Sequence, residues 1–311
     1  MAWKPIFSLE GRAPLGHNRA PTPPPSEFAM KNAMLLSVVI PAYNEEGNIT
    51  ATIDGIRAVL RREGVPYELV LVNDNSADAT GPVLDALAEA DPGVVVVHRE
   101  PPRGFGRAVR AGLERASGDV IVICMADLSD DPEDIIKYYR KIEEGYDCVF
   151  GSRFMRGSRC VNYPKLKLFV NRLVNKMMQI MFWTRFNDLT NSFKAYRSYV
   201  IRDIMPLKAC HFNITIELSL NTLIRGYAIA MMPISWQGRT WGSSNLHLTE
   251  MGRRYLSTLL RAWFEKNLIL DDLMAESMAH RTRLAEKAAG LEGRVASLER
   301  RLAAVEAKRN D

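Results

Sequence analysis

The chain has 311 residues, 47% of them hydrophobic and 25% charged, and a net charge of +5. That length supports a large core in one main domain with appendages. The mild positive balance fits an anionic ligand or an anionic membrane surface, and the sequence lacks the long basic tracts of a dedicated nucleic-acid binder.

Residues 1–34 contain the Pro-rich run APTPPPSE and few periodic apolar positions, so they read as an extended or disordered arm. From Leu35 the run LLSVVIPAYNEEGN reads as a buried strand broken by Pro41 and followed by an acidic helix start. Tyr67–Asn73 (YELVLVN) is a second buried strand, and the Asp and Ser side chains of DNSADAT suit the cap of the next helix. Val94–His98 is a third. Gly104 and Gly106 then open an amphipathic helix carrying Arg103, Arg107 and Arg110. This GxG follows the third strand and lacks a third glycine, which excludes a dinucleotide fingerprint. It reads as a tight turn that lets backbone amides and Arg103 or Arg107 approach a ligand.

The stretch Gly118–Asp134 (GDVIVICMADLSDDPED) is the most informative. Val120–Cys124 is an apolar, largely β-branched run suited to a strand buried on both faces of a parallel sheet. Asp127, Asp130 and Asp131 follow, and Pro132 with Glu133 and Asp134 forms a helix first turn. Carboxylates where a central strand ends lie in the crevice in which open α/β sheets bind ligands, and they suit a divalent cation bridging to phosphate oxygens. A helix at Ile135–Glu144 and a strand ending at Cys148–Phe150 complete an alternation that predicts a doubly wound, mainly parallel α/β sheet. The four cysteines, Cys124, Cys148, Cys160 and Cys210, form no CxxC pair, so neither a zinc site nor a disulfide framework is expected. With no apolar run near the ~20 residues of a membrane span and no signal-peptide core, a cytoplasmic location is expected.

Taken in order, SVVIPAYNEE, LVNDNSADAT, GFGRAVRAG and MADLSDDPED resemble the nucleotide-binding half of the inverting family-2 glycosyltransferases, which have the GT-A fold. The likeness is greatest to the polyprenyl-phosphate sugar synthases of the dolichyl-phosphate mannosyltransferase type. It continues through FGSRF, NDLTNSFKAYR, HFNITIEL and MPISWQGRTWGSSNL, and covers roughly residues 35–250. The resemblance implies a nucleotide-diphosphate sugar as donor and a polyprenyl phosphate as acceptor. The donor set it implies is Pro41, Ala42, Tyr43, Glu45, Asp74, Gly106, Arg107, Ala126, Asp127, Arg239 and Ser243. Asp127 matches the second Asp of the family's DxD and, with Ser129, would hold Mg²⁺ or Mn²⁺. Met125 stands in place of the first Asp, and a thioether is a poor ligand for a hard cation; Ser129, Asp130 or a water would fill that gap. Arg153, Lys167 and Asn171 fall where the acceptor phosphate is held. In the loop expected to close over the donor phosphates, RTWGSSN ends in Asn245 where the family has Lys, leaving Lys165 or Lys194 as possible compensation. Arg153, Asp188 and Arg239 join Asp127 as the catalytic set.

A phosphate monoester is already a nucleophile at neutral pH and needs no base, whereas a hydroxyl of a glycan, small molecule or protein needs a carboxylate within reach. Asp188 and Glu217 are the only candidates for such a base. A catalytically inactive, sugar-nucleotide-binding or scaffolding protein is the remaining alternative.

Lys165–Phe186 places apolar positions at helical spacing beside Lys165, Lys167, Arg172, Lys176 and Arg185, as an interfacial helix on an anionic membrane does. Residues 251–272 extend this as a second amphipathic helix, and the enzyme is expected to be peripheral on the inner face of the membrane. In residues 273–311, Leu284, Ala288, Leu291, Val295, Leu298, Leu302 and Val305 alternate four and three apart, which predicts a coiled coil and a homo-oligomer.

Overall fold

A computed structural model of the protein describes residues 33–238 and 248–269, with scattered positions between 272 and 295. The chain divides into two compact units, Met1–Lys266 and Asn267–Asp311. In chain order the first half comprises β1 (Leu36–Ala42), α1 (Ile49–Arg62), β2 (Tyr67–Asn73), α2 (Thr80–Ala90), β3 (Val94–His98), α3 (Phe105–Arg115), β4 (Val120–Ile123), α4 (Pro132–Glu143) and β5 (Cys148–Ser152). The second comprises β6 (Arg159–Val161), α5 (Lys165–Phe182), β7 (Lys194–Arg197), α6 (Ser198–Ile204), α7 (Ile214–Ile224), β8 (Ile229–Pro233), β9 (Ser235–Gln237) and α8 (Leu248–Leu268).

The main sheet runs β3-β2-β1-β4-β7-β5-β8. Its pairs are parallel except where β7 lies antiparallel between β4 and β5. This is the expected α/β architecture, a mainly parallel sheet with helices on its faces. β1 and β4 are buried at every position, as continuous apolar runs between two helical layers must be. One face of α4 buries Ile135, Tyr138, Tyr139 and Ile142, and the helix starts where the sequence signals it. Asp131 caps it by accepting the Glu133 N–H at 3.0 Å, Pro132 occupies its first turn, and Glu133 and Asp134 face the positive end of its dipole.

β7 was not legible as a central strand. KAYR is four residues long and its Lys194 is fully buried, a residue type that rarely enters a core unless it finds partners. The helix expected to run to Phe186 stops at Phe182, because Trp183 turns into the left-handed region at φ 50°. β6 and β9 form a separate two-stranded parallel sheet that no periodicity announces.

Of the heptad seam, only Leu291 and Val295 fall among the described residues, 51% and 53% exposed. Leu284, Ala288, Leu298, Leu302 and Val305 lie outside them, as does the arm up to residue 32.

The sheet face opposite the α4 core admits α3 only because Gly112 has no side chain. A Cβ there would overlap Val39 Cγ1 and lie 3.1 Å from Val72 Cγ2, and both partners are β-branched residues with little rotamer freedom. Gly112→Ala is therefore expected to destabilise the fold by about 1–3 kcal/mol through overpacking, read as a lower urea midpoint at unchanged m-value.

Candidate active site

The C-terminal tips of β1, β2, β4 and β5 bring four segments to one edge of the sheet. Two of them are stitched together first. Asn44, at φ 54°, accepts the Ala77 N–H at 2.9 Å, its own N–H donates to Ser76 Oγ at 3.1 Å, and Ala79 N–H donates to Glu46 Oε2 at 2.8 Å. Glu45 is buried and accepts from Asn48 Nδ2 at 2.9 Å, while its N–H donates to Thr80 Oγ1 at 2.8 Å. Pro41 and Ala42 are the last residues of β1 and precede Tyr43 directly. The Arg103 guanidinium lies 4.6 Å from the centre of the Tyr43 ring and donates to its hydroxyl.

Asp74, buried at the tip of β2, accepts from Arg99 on one oxygen and from the Gly104 N–H at 2.6 Å on the other. Arg107 donates to the Arg103 carbonyl at 3.0 Å, so Arg99, Arg103 and Arg107 gather on this side of the crevice. Gly106 owes its identity to the chain itself. A Cβ there would lie 2.6 Å from the Ala209 carbonyl oxygen, and one on Gly104 would overlap that of Cys210. The glycines thus admit the 209–211 backbone, which Phe105 clasps by stacking on Phe212 at 4.5 Å.

The carboxylate loop follows β4. Asp127, Ser129 and Asp130 are all buried, and Leu128 between them sits at φ 60°, a strained region for a branched side chain. The strain is held by local bonds. Asp127 Oδ1 accepts the Ser129 N–H at 3.2 Å, Asp130 Oδ2 accepts the Met125 N–H at 3.0 Å, and the Ala126 carbonyl accepts from Thr52 at 3.0 Å. Burial pushes the Asp130 carboxyl up to about 7; the Met125 N–H opposes the rise and the Asp127 charge adds to it. The small β6–β9 sheet closes the loop from the far side, where Gln237 N–H donates to the Ser129 carbonyl at 2.9 Å and Trp236 bridges to Asp130. Among the described residues no group of three His, Cys, Asp or Glu side chains is arranged as a metal cage.

The part of the site that follows β5 is organised by Arg153 and Asp188. Arg153 Nε and NH2 donate to the two Asp188 oxygens at 2.8 and 2.7 Å, a bidentate pair in which both side chains are buried. Asp188 also accepts the Arg153 N–H at 2.9 Å and the Thr190 hydroxyl at 3.2 Å, so each oxygen takes two hydrogen bonds. Glu217 is engaged as fully, by the Lys208 and Ala209 N–H groups and by Arg261. Neither carboxylate is left to take a proton from a substrate. Lys194 points at the Leu189 and Asn191 carbonyls and lies over the Phe150 ring at 5.2 Å. Burial pushes its ammonium down to about 7 although Asp188 pulls the other way. Lys165 starts α5 on the exposed surface.

Asn171 donates to the hydroxyl of Tyr163, which also accepts from Arg153 NH1 at 3.3 Å, and Lys167 lies one helical turn before Asn171. Arg153 and Asn171, far apart in sequence, are thus brought together. The tyrosine that joins them is a lone aromatic in the loop VNYPK, where no pattern marks it. Arg239 and Ser243 lie outside the described residues.

Residues 37–205 match the profile of glycosyl transferase family 2. The chain is 28% identical over 215 residues to a polyprenol monophosphomannose synthase of Mycolicibacterium smegmatis, covering 67% of this chain and 80% of that one. It is 33% identical to a dolichol-phosphate mannosyltransferase of Pyrococcus furiosus, over 68% of this chain and 59% of that one. It is also 33% identical to an undecaprenyl-phosphate 4-deoxy-4-formamido-L-arabinose transferase of Shewanella sediminis, over 58% and 53%. It therefore spans just over half the length of the last two. Glucosyl-3-phosphoglycerate synthase from Mycobacterium tuberculosis, solved with Mn²⁺, UDP-glucose and phosphoglyceric acid, superposes with a TM-score of 0.57 at 23% identity over 74% of this chain and 80% of that one, a likeness of fold. A mainly parallel sheet with a carboxylate loop after its central strand β4, and a family profile matched over residues 37–205, lead to one conclusion: the chain belongs to glycosyl transferase family 2.

Proposed function

We propose that the protein transfers a sugar from a nucleotide-diphosphate sugar to a polyprenyl phosphate, with inversion at the anomeric carbon. The observation that carries this reading is the engagement of Asp188 and Glu217, the two acceptor-side carboxylates, by groups of the protein itself. An alcohol acceptor would need one of them as base. A phosphate monoester, with a second pKa near ~6, is dianionic at neutral pH and attacks unaided. The names of the polyprenol and dolichol-phosphate relatives support the same acceptor.

On the donor side Pro41, Ala42, Tyr43, Glu45, Asp74, Gly106, Arg107 and Ala126 frame the nucleotide, and the family resemblance assigns Arg239 and Ser243 to its phosphates. Asp127 and Ser129, with Asp130 beside them, would hold Mg²⁺ or Mn²⁺; burial is the main reason the Asp130 carboxyl keeps its proton near neutrality, and a cation suits that proton's place. Such an ion would supply Lewis-acid stabilisation of the departing diphosphate. Arg153, Lys167 and Asn171 surround the acceptor phosphate.

The exposed face of α5 supports a membrane as the place of reaction. Leu166, Phe169, Leu173, Met177, Ile180 and Trp183 follow one another at helical spacing and are 40–75% exposed. Exposed Lys165, Arg172 and Lys176 accompany them, the combination that seats a helix at an anionic lipid boundary. On α8, Leu256, Leu260 and Phe264 are also exposed, and Lys266 ties that helix to the end of α5 by donating to the Phe182 carbonyl at 3.0 Å. No described helix is long and apolar enough to cross a membrane. The exposed apolar and basic face of α5 supports a peripheral position on the inner face of the membrane. The heptad seam supports a homo-oligomer, which would multiply these weak surface contacts.

Sugar from a labelled nucleotide donor is expected to enter an acid-labile prenyl-phosphate product; a glycoside stable to both acid and alkali would instead show a hydroxyl acceptor. The acid limb of kcat/KM is expected to follow the acceptor's own second ionisation and to move when a phosphonate acceptor replaces the phosphate. A limb that stays in place would reveal a base on the enzyme. Asp127→Asn is expected to lower kcat by at least about 100-fold, the scale set by loss of one transition-state charge contact, with the fold intact by circular dichroism. Phe169→Glu is expected to weaken co-sedimentation with anionic vesicles by about tenfold or more, as loss of one buried aromatic implies.

A further inference from the structure

Tyr163 stands between β6 and α5, half-buried, at the meeting point of Arg153, Asn171 and Trp236. Its ring lies 4.7 Å from that of Trp236, and the Arg153 guanidinium is 5.6 Å from its centre. Both hydrogen bonds at its hydroxyl are accepted, one from Arg153 and one from Asn171. A phenol that accepts twice still has its own O–H to give. Burial raises its pKa, against the pull of Arg153 and Asn171, so that proton stays on. No acceptor for it occurs among the described residues.

Arg153 is in a similar position. Four of its five side-chain hydrogens go to Asp188, Thr190 and Tyr163, which leaves one on NH1, the atom nearest the phenol. Arg172 reinforces the spot with charge. Its guanidinium lies 5.4 Å from the centre of the Phe154 ring, whose centre is 5.5 Å from the Arg153 guanidinium, and among the described residues no carboxylate lies within ion-pair distance of Arg172. Two converging donors under a positive potential suit an oxygen with lone pairs and negative charge. An alcohol nucleophile needs a partner that takes its proton, and the nearby carboxylate, Asp188, is already engaged on both oxygens.

We propose that Tyr163 is a ligand of the acceptor phosphate, its O–H donating to a non-bridging oxygen that the remaining NH1 hydrogen of Arg153 also reaches. This rests on the phosphate-acceptor reading above. Trp236 forms the wall behind the phenol and bridges through its backbone to Asp130, so the phosphate would sit between the carboxylate loop and α5.

Tyr163→Phe keeps the ring against Trp236 and removes only the hydroxyl. With a short-chain prenyl phosphate as acceptor at saturating donor, its acceptor KM is expected to rise about tenfold or more, the scale of a hydrogen bond to a charged group, while the donor KM holds. A fall in kcat at unchanged acceptor KM would assign the hydroxyl to bracing Arg153 and overturn the proposal. Calorimetric titration of the same prenyl phosphate without donor separates this idea from the one beneath it. Wild type that binds the lipid phosphate about tenfold tighter than Tyr163→Phe supports the site even where no sugar is transferred, in which case only the transfer reading fails. Equal affinity of the two forms, or no binding by either, overturns the assignment of Tyr163.

Discussion

The bidentate pair between Arg153 and Asp188 is the contact on which the part of the site after β5 depends. Arg153 follows β5, Asp188 lies in the loop between α5 and β7, and both side chains are buried. Removing either partner from such a pair leaves an uncompensated buried charge, at a cost of about 3–5 kcal/mol. The pair is braced on every side. Thr190 bonds both members, and Asn175 of α5 donates to Thr190 at 3.0 Å while accepting the Leu189 N–H at 2.7 Å. Holding the arginine this firmly spends most of its donors on the protein, and what is left of its directionality is one N–H beside Tyr163. A carboxylate so engaged is an anchor rather than a base, which turns a structural detail into an argument about the acceptor.

The part of the site built on the tips of β1, β2 and β4 is held by different means. Its loops leave the strand tips through left-handed residues, Asn44 after β1 and Asn75 after β2, and are tied by side chain to backbone bonds. Asn tolerates that conformation at little cost. Leu128 does not, and its position between Asp127 and Ser129 marks the one loop where a bulky side chain is kept in a strained backbone beside the carboxylates. The β6–β9 sheet holds that loop from outside and, through Tyr163 and Trp236, leans on α5. The carboxylate loop and α5 therefore share a wall.

How much of this was legible in the sequence follows from the range of the forces involved. Buried parallel strands announce themselves as continuous apolar runs, so β1, β2 and β4 and the order of the helices between them could be read directly, and so could the Pro132 start of α4. β7 could not, because a four-residue strand holding a buried lysine carries no pattern and is set by its neighbours in the sheet. Motif reasoning found Arg153 and Asp188, but that each is the other's partner is a fact of tertiary contact. The glycines of GFG read as a turn that lets backbone amides and arginines approach a ligand; that their missing side chains admit the backbone of residues 209–211 emerges only from the fold.

α5 carries two readings at once, and its geometry explains why they coincide. An α-helix places residues three and four apart on one face. Asn171, Asn175 and Met178 fall on the side turned to the protein, where Asn171 reaches Tyr163 and Asn175 reaches the Asp188 loop, while Phe169, Leu173, Met177 and Ile180 face out. A lipid whose headgroup is a phosphate and whose tail is a hydrocarbon poses the same two-sided demand. On the proposed reading, the helix that seats the tail in the lipid boundary also carries the polar side chain that organises the headgroup site. Membrane docking and acceptor orientation then become one constraint, set by the rotation of a single helix about its axis.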